Sequence, residues 1–356
     1  MSKKLSRRSF VQKATLASVA AGVLPKVATP NTHKVERRSK RLSAYYFRAH
    51  MYTLVPSQVR EDLKWMADVG TNSVCVAVLE QDLRAAVENV AIILEEAEKL
   101  GMELFVVPSR WGGLLAGAPK VPSVFTVQHP QAWLRKDDGS FYTDKNVGVH
   151  SSVHYPETVE FFKKSLDKVL NLWNVKGIVW DEPKIYDKRD YSELARKNIK
   201  NIDEVAPHNA AFSNFFSTLN KHIKNNYPEV ETNLFAYANM PNHIIDSLKT
   251  IVDLDYVGCD GRPWSVDDVG DVEQVGKVLI GPGQKFQKAA KEAGMKSLFL
   301  IENHNMSAEN NALMDRKLPE VIDLNPDHLI YYYYPRNLDK PDENMAIIKK
   351  HVKGYK

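Results

Sequence analysis

The stretch Gly177-Ile178-Val179-Trp180-Asp181-Glu182-Pro183 is the most informative part of the chain. Its apolar beginning predicts a buried parallel strand, and Pro183 predicts that the strand ends there. Two adjacent carboxylates, Asp181 and Glu182, then follow a buried strand, where an unpaired charge is costly. In a barrel of alternating strands and helices, the carboxyl ends of the strands carry the chemistry. We therefore expect Asp181 and Glu182 to be catalytic.

Short apolar runs alternate with amphipathic stretches from about residue 43 onward, which predicts a parallel sheet. There are eight such runs, at 43–47, 73–79, 103–107, 177–180, 233–237, 256–259, 297–301 and 329–333. Eight repeats match one closed (β/α)8 barrel, a TIM barrel, better than an open sheet. We expect a single α/β domain over 43–356. The aromatic segment 109–155 is a long loop insertion after strand three, and a loop of that length is usually functional.

The first 30 residues predict an export signal. Ser6-Arg7-Arg8-Ser9-Phe10 matches the twin-arginine pattern, and a short apolar stretch over 14–24 follows it. That stretch is too short to cross a bilayer, so we expect a periplasmic protein with no membrane span in its mature form, and a basic linker over 31–42.

The basic charge belongs largely to this leader. The net charge of the whole chain is +4, but residues 1–30 hold six lysines and arginines and no acidic residue. The rest of the chain has 42 basic and 44 acidic residues, so it is slightly acidic. We therefore expect no nucleic-acid partner.

Polar and aromatic residues concentrate at the predicted carboxyl ends of the strands, whereas the opposite ends lack them. Such an asymmetry indicates a functional site. The catalytic candidates are Glu182, Glu302, Asp181 and His304. The substrate-binding candidates are Arg48, His50, Arg110, Trp111, Asn239, Asp260, Arg262, Trp264, Tyr334 and Arg336.

Two stretches resemble the glycoside hydrolase TIM-barrel superfamily. The first is His-Pro-Gln-Ala-Trp-Leu at 129–134 with Asp-Gly at 138–139, and the second runs from 156 to the Asp-Glu-Pro at 181–183. In the retaining clan, strand four ends in Asn-Glu-Pro and strand seven ends in a second Glu. The resemblance implies that Glu182 is the acid/base and Glu302 the nucleophile. It also implies that Asp181, in place of Asn, contacts the sugar's 2-hydroxyl. No individual family is identified.

Cleavage of a glycosidic bond also requires this pair on chemical grounds. One carboxylic acid delivers a proton to the leaving oxygen, while a carboxylate faces the developing positive charge on the sugar. We expect contact with Trp180 and repulsion from Asp181 to raise the pKa of Glu182. Trp111, Trp133 and Trp264 offer flat faces on which sugar rings stack.

Four arginines fall just after strands one, three, six and eight: Arg48, Arg110, Arg262 and Arg336. Guanidinium groups bind carboxylates and sulfates bidentately. The arginines either neutralise the site's own acids or bind an anionic oligosaccharide that carries uronate or sulfate groups. An unpaired arginine, with Arg262 the first candidate, would favour an anionic substrate.

Two other reactions stay open from the sequence. A lyase or dehydratase acting on a uronic acid needs a cation, a base and an acid. Arg262 or Arg336, His304, and Tyr332 or Tyr334 could supply them. A metal-dependent sugar isomerase would use the set Glu182, Asp260, Glu302 and His304. No close-spaced ligand motif supports a metal, so we assign neither metal nor cofactor. A sugar-binding protein without catalysis would not need the carboxylate pair.

Overall fold

A computed structural model describes residues 40–47, 54–117, 120–145, 148–268 and 277–355. Eight parallel strands close into a barrel in which each strand pairs with its neighbours in the chain, and β8 closes on β1. The strands are β1 Arg41–Tyr46, β2 Ser73–Leu79, β3 Glu103–Ser109, β4 Gly177–Asp181, β5 Glu231–Tyr237, β6 Tyr256–Gly261, β7 Lys296–Ile301 and β8 His328–Tyr332. The predicted (β/α)8 barrel is confirmed. The predicted signal over 1–30 and most of the linker over 31–42 lie outside the described residues.

Helices surround the strands and cover the barrel. They are α1 Pro56–Val69, α2 Asp82–Ala85, α3 Val87–Lys99, α4 Val124–Gln128, α5 Pro156–Leu172, α6 Glu193–Asn198, α7 Val205–Asn226, α8 Asn242–Lys249, α9 Pro282–Glu292, α10 Ala308–Asp323 and α11 Pro341–Val352. Gly70 ends α1 with φ at 99°, a conformation in which glycine has no steric penalty. Within the described part of the chain, no helix has the length and hydrophobicity needed to cross a bilayer.

Side chains that alternate along each strand contribute to two hydrophobic cores, one inside the barrel and one under the helices. Because successive side chains point to opposite faces, Val179 lies in the core inside the barrel while Ile178 and Trp180 lie in the core under the helices. The Trp180 Nε1 donates to Asn220 Oδ1 on α7 at 3.0 Å. The next residue, Asp181, faces the interior, where it accepts from the Tyr45 hydroxyl at 2.6 Å. Trp180 therefore faces away from the mouth of the barrel.

The insertion after β3 is tied to the barrel through Glu80, the residue that follows β2. Its buried carboxylate accepts from the Gly112 amide at 2.9 Å, the Ser123 hydroxyl at 2.6 Å and the Phe125 amide at 2.7 Å. Gly113 has φ at 68°, and a Cβ there would lie 2.1 Å from the Val149 carbonyl oxygen. The described parts of this long segment are therefore ordered by specific contacts at its beginning, middle and end.

Candidate active site

Three buried carboxylates meet at the carboxyl ends of the strands. Glu182 follows β4, Asp260 lies in β6 and Glu302 follows β7. One oxygen from each lies within 4.8 Å of the others. The Glu182 amide continues the sheet ladder to the Phe235 carbonyl at 3.0 Å although its φ is 36°, a left-handed value that is rare outside glycine. The fold thus holds Glu182 in an unusual backbone conformation that presents its carboxylate to the other two.

A lysine that the sequence interpretation missed lies among these carboxylates. The Lys277 ammonium contacts Glu182 directly, and it lies 3.0 Å from Asp260 Oδ2 and 3.1 Å from Glu302 Oε1. Its nitrogen also lies 4.1 Å from the centre of the Tyr237 ring. The backbone fixes its position, because the Arg262 amide donates to the Lys277 carbonyl at 2.7 Å. No motif predicted this residue, which lies 17 positions beyond Asp260.

A second lysine approaches Glu182 from the loop after β4. The Lys184 ammonium contacts the Glu182 carboxylate and the Tyr237 hydroxyl, and it lies 4.5 Å from the centre of the Tyr237 ring. The two ammonium groups therefore share Glu182 and Tyr237. A cation over an aromatic face is stabilised by the quadrupole of the ring.

These lysines reverse the expected protonation of Glu182. Burial alone raises the pKa of Glu182, but the charges of Lys277 and Lys184 outweigh burial and lower it to about 2. The raised pKa expected from Trp180 and Asp181 is wrong, because Trp180 faces the helices and both lysines contact the Glu182 carboxylate. In this state Glu182 is ionised.

The raised pKa values belong to the two aspartates instead. Burial, followed by the charge of Glu182, raises the pKa of Asp181 to about 6. The same two causes raise the pKa of Asp260 well above its usual range. Asp260 is 1% exposed, and its Oδ1 has no hydrogen-bond partner among the described residues. A buried oxygen without a donor is costly in its charged form, so the geometry also favours the neutral acid.

Glu302 has the surroundings of an ionised carboxylate. The His304 Nε2 lies 3.5 Å from Glu302 Oε1. Burial raises the pKa of Glu302, but the hydrogen bond from His304 and the charge of Lys277 outweigh burial and hold the pKa well below its usual range. The ring of Tyr332 packs edge-on against His304 with the ring centres 5.2 Å apart. The structure therefore brings together the predicted residues Glu182, Glu302, Asp260 and His304.

The four predicted arginines have different surroundings. Arg262 has no carboxylate partner within the described ranges, but its Nη1 donates to the carbonyl oxygens of Glu302 (3.0 Å) and His304, so it braces the end of β7. Arg110 is buried near the carboxylates of Asp181 and Glu182, and it donates to the Gly117 carbonyl. Arg336 is exposed. Arg48 and His50 lie outside the described residues.

The three predicted aromatic platforms are buried or held by other contacts. Trp111 is buried in the outer core, where its Nε1 donates to the Val78 carbonyl at 2.9 Å, and Trp264 is 1% exposed. The Trp133 Nε1 donates to the Thr126 carbonyl at 2.7 Å within the insertion. Trp111 lies beyond the end of β3, directly after Arg110 with its left-handed φ of 62°, so the alternation of the strand does not set its direction. The aromatic rings next to the carboxylates are instead those of Tyr237 and Tyr332.

Two further candidates lie at the edge of the site. The Tyr334 side chain is exposed and its hydroxyl donates to Asp342 Oδ1 at 2.8 Å, at the start of α11. The Asn239 side chain accepts from the Val278 amide at 3.4 Å, next to Lys277. Asn239 thus supports the loop that carries Lys277, whereas Tyr334 belongs to the outer surface.

The three carboxylates also have a geometry that could hold a cation. Each offers one oxygen within 4.8 Å of the others, as the isomerase alternative required. The cation that they contact in this structure is the ammonium of Lys277. His304 approaches Glu302 alone among the three. The arrangement is therefore a carboxylate cluster neutralised by a lysine of the chain itself.

No protein-family model and no curated protein sequence matches the chain. Solved structures with the same barrel do match. The catalytic domain of β-amylase from Paenibacillus polymyxa is 10% identical, with a TM-score of 0.59 over 88% of this chain and 97% of that one. The β-galactosidase from Halorubrum lacusprofundi is 13% identical, with a TM-score of 0.61 over 88% of this chain and 58% of that one. The endo-1,4-β-mannanase from Rhizomucor miehei is 11% identical, with a TM-score of 0.56 over 89% and 94%.

These neighbours are all glycoside hydrolases, and the chain has the barrel that they share. It spans nearly all of the β-amylase domain and of the mannanase, but less than two thirds of the β-galactosidase. The class defined by the fold is therefore the (β/α)8 barrel seen in glycoside hydrolases. At identities this low, the similarity establishes the fold and identifies no individual family.

Proposed function

We propose that this protein is a retaining glycoside hydrolase in which Glu302 is the nucleophile and Glu182 the acid/base. The observation that carries the proposal is the short separation of their carboxylates, whose nearest oxygens lie within 4.8 Å. Retaining enzymes place the two groups roughly 5–5.5 Å apart, whereas inverting enzymes leave roughly 6.5–9.5 Å for a water molecule. The glycoside hydrolases that share the barrel support the same reaction class.

The reaction assigns one bond change to each carboxylate. Glu302, held ionised beside Lys277 and His304, attacks the anomeric carbon as the glycosidic C–O bond breaks. Glu182 gives its proton to the leaving oxygen. In the second half, Glu182 takes a proton from water, whose oxygen attacks the anomeric carbon and releases Glu302. Asp181 stays at the wall of the site with its carboxylate held by the Tyr45 hydroxyl.

An anionic oligosaccharide is the substrate that the charges favour. Among the described residues, four cations surround the carboxylates: Lys184, Lys277, Arg110 and Arg262. They face the carboxylates of Asp181, Glu182, Asp260 and Glu302, and Asp144 also lies near Arg110. Guanidinium and ammonium groups concentrated at one site suit a uronate or sulfate group. Export to the periplasm, proposed from residues 1–30, would place the protein where such oligosaccharides are degraded.

Elimination from a uronic acid remains the second candidate. The contact that favours it is the edge-on packing of Tyr332 against His304, next to the backbone that Arg262 holds. A base and an acid would then lie side by side. The hydroxyl of Tyr334, the other acid considered from the sequence, donates to Asp342 instead.

Mass spectrometry of products from a panel of neutral and anionic oligosaccharides tests the proposal. Hydrolysis adds one water across the cleaved bond, whereas elimination gives an unsaturated product lighter by one water than the hydrolysis product. We expect hydrolysis of an anionic member, abolished by Glu302→Gln and retained by Glu61→Gln, an exposed residue on α1 that serves as the matched control. Unsaturated products would show that the reaction is elimination and not hydrolysis. Unchanged oligosaccharides across the panel would contradict both reactions.

A further inference from the structure

Glu182 cannot donate a proton in the state that the structure describes. Lys277 and Lys184 both contact its carboxylate, and such contacts stabilise the ionised form. The Lys277 ammonium also contacts Glu302 at 3.1 Å, so it lies between the two groups that must face the sugar. A sugar that reacts at Glu302 has to displace this ammonium, and Glu182 has to gain a proton before the glycosidic bond breaks.

Asp260 is the residue placed to supply that proton. One of its oxygens lies within 4.8 Å of an oxygen of Glu182 and of one from Glu302. Its Oδ2 contacts the Lys277 ammonium at 3.0 Å, while its buried Oδ1 has no hydrogen-bond partner in the described part of the chain. The same lysine therefore links the Asp260 carboxyl group to the carboxylates of Glu182 and Glu302.

Resting on the proposed function, we propose that Asp260 is the proton reservoir of the reaction. When the sugar displaces Lys277 from Glu182 and Glu302, and Lys184 keeps only its contact with the Tyr237 hydroxyl, the Asp260 O–H bond breaks and the proton bonds to a Glu182 oxygen. Asp260 becomes a carboxylate and Glu182 becomes the neutral acid, so the total charge of the site is unchanged. Lys277, withdrawn toward Asp260, stabilises the new carboxylate through the contact that it already makes.

Asp181 is the competing source, and its contacts make it the poorer one. The Tyr45 hydroxyl donates to Asp181 Oδ2 at 2.6 Å, and a donated hydrogen bond stabilises the ionised form of a carboxyl group. Asp260 accepts on Oδ2 from the Lys277 ammonium at 3.0 Å, whereas its Oδ1 has no hydrogen-bond donor in the described part of the chain. Asp181 is therefore the matched control for Asp260, since both are buried aspartates next to Glu182.

The test uses aryl glycosides of the sugar identified by the oligosaccharide panel, with phenols that range from good to poor leaving groups. A missing general acid slows only the poor leaving groups, by roughly 10²–10⁴-fold. We expect Glu182→Gln and Asp260→Asn to share this dependence on the leaving group. Asp181→Asn should slow all members of the series by a similar factor.

The outcomes separate the two levels of the proposal. If Glu182→Gln slows all leaving groups equally, Glu182 is not the acid and the proposed function fails. If Glu182→Gln shows the dependence but Asp260→Asn does not, or if Asp181→Asn shows it instead, only the assignment of the proton reservoir is wrong.

Infrared spectroscopy of protein that keeps Asp260 provides a second measurement in case Asp260→Asn does not fold. Infrared spectra of protein with ¹³C-labelled aspartate distinguish a protonated aspartate from a protonated glutamate. At a pH above the titration of Asp181, we expect an aspartic acid band in the free protein that decreases when the glycoside binds to Glu302→Gln protein. A free protein without such a band would contradict the inference.

Discussion

The Lys277 ammonium lies 3.1 Å from Glu302 Oε1, in contact with the residue assigned as nucleophile. The two residues come from different loops, and the bond network around them joins β6 to β7 through Arg262. A lysine in this position keeps Glu302 ionised and, under the proposed function, occupies the place that the sugar takes. It explains how a buried cluster of carboxylates is tolerated in the free protein.

Replacement of Lys277 by Met should destabilise the protein, because it leaves buried carboxylates without their shared cation. We expect a loss of about 3–5 kcal/mol in the free energy of unfolding near neutral pH, measured by urea denaturation. The pKa values of Glu182 and Glu302 rise without the ammonium, so the loss should shrink as the pH falls and the carboxylates take up protons. Added Mn²⁺ should restore part of the stability.

Lys184→Met is the matched control for this prediction. Lys184 contacts Glu182 but none of the other two carboxylates among the described contacts. We therefore expect a smaller loss and no stabilisation by Mn²⁺. Equal losses for the two variants, or a Mn²⁺ effect on both, would show that Lys277 does not neutralise the cluster as a unit.

The Glu80 carboxylate should be essential for the insertion after β3. It accepts from two backbone amides and the Ser123 hydroxyl, and an amide side chain cannot accept on both of its ends. We expect Glu80→Gln to lower the free energy of unfolding by about 1–3 kcal/mol. Thermal unfolding beside Glu61→Gln, which should match the wild type, checks this. An unchanged melting temperature for Glu80→Gln would contradict it.

His150 should make stability depend on pH. Burial lowers its pKa from the ordinary 6.5 to about 4, and its Nδ1 lies 2.6 Å from the Gly113 carbonyl oxygen. In this pH range the unfolded chain binds a proton at His150 that the folded chain does not bind. The contribution of His150 to stability is therefore complete above pH 6.5 and is lost as the pH falls toward 4. Near pH 5, His150 should have lowered the free energy of unfolding by about 2 kcal/mol relative to neutral pH.

The measurement compares His150→Asn with the wild type at about pH 7 and about pH 5. An asparagine amide has no charge to gain in this range, so the variant should lose less stability between the two conditions. Other buried groups, including His328, titrate in both proteins and cancel in the comparison. The same pH dependence in both proteins would remove His150 as its source.

The fold could be predicted from the sequence because each strand is a short apolar run and the helices are amphipathic stretches between these runs. The positions of Glu182, Asp260 and Glu302 followed, since strand ends of a parallel barrel meet at one mouth. The outward direction of Trp180 could also have been predicted. If Asp181 faces the interior of the barrel, its neighbour in the strand has to face the helices.

Lys277 could not be predicted in the same way. It follows β6 by a long stretch without periodicity, and a lysine in a loop is ordinarily a solvated residue. Its position depends on the backbone pairing between Arg262 and Lys277, which forms only in the folded barrel. The pKa of Glu182 depends on the contact with Lys277 more than on its neighbours in the sequence. Because Lys277 was not predicted, the direction of this pKa shift was not predicted either.

The configuration of the first-formed product tests the central claim most directly. Hydrolysis of the glycoside identified by the panel should be followed by ¹H NMR from the first turnovers, before the released sugar equilibrates between anomers. Because one oxygen of Glu182 lies within 4.8 Å of one oxygen of Glu302, the account predicts that the product first appears with the anomeric configuration of the substrate. A product that first appears with the opposite configuration would contradict the assignment of Glu302 as a nucleophile.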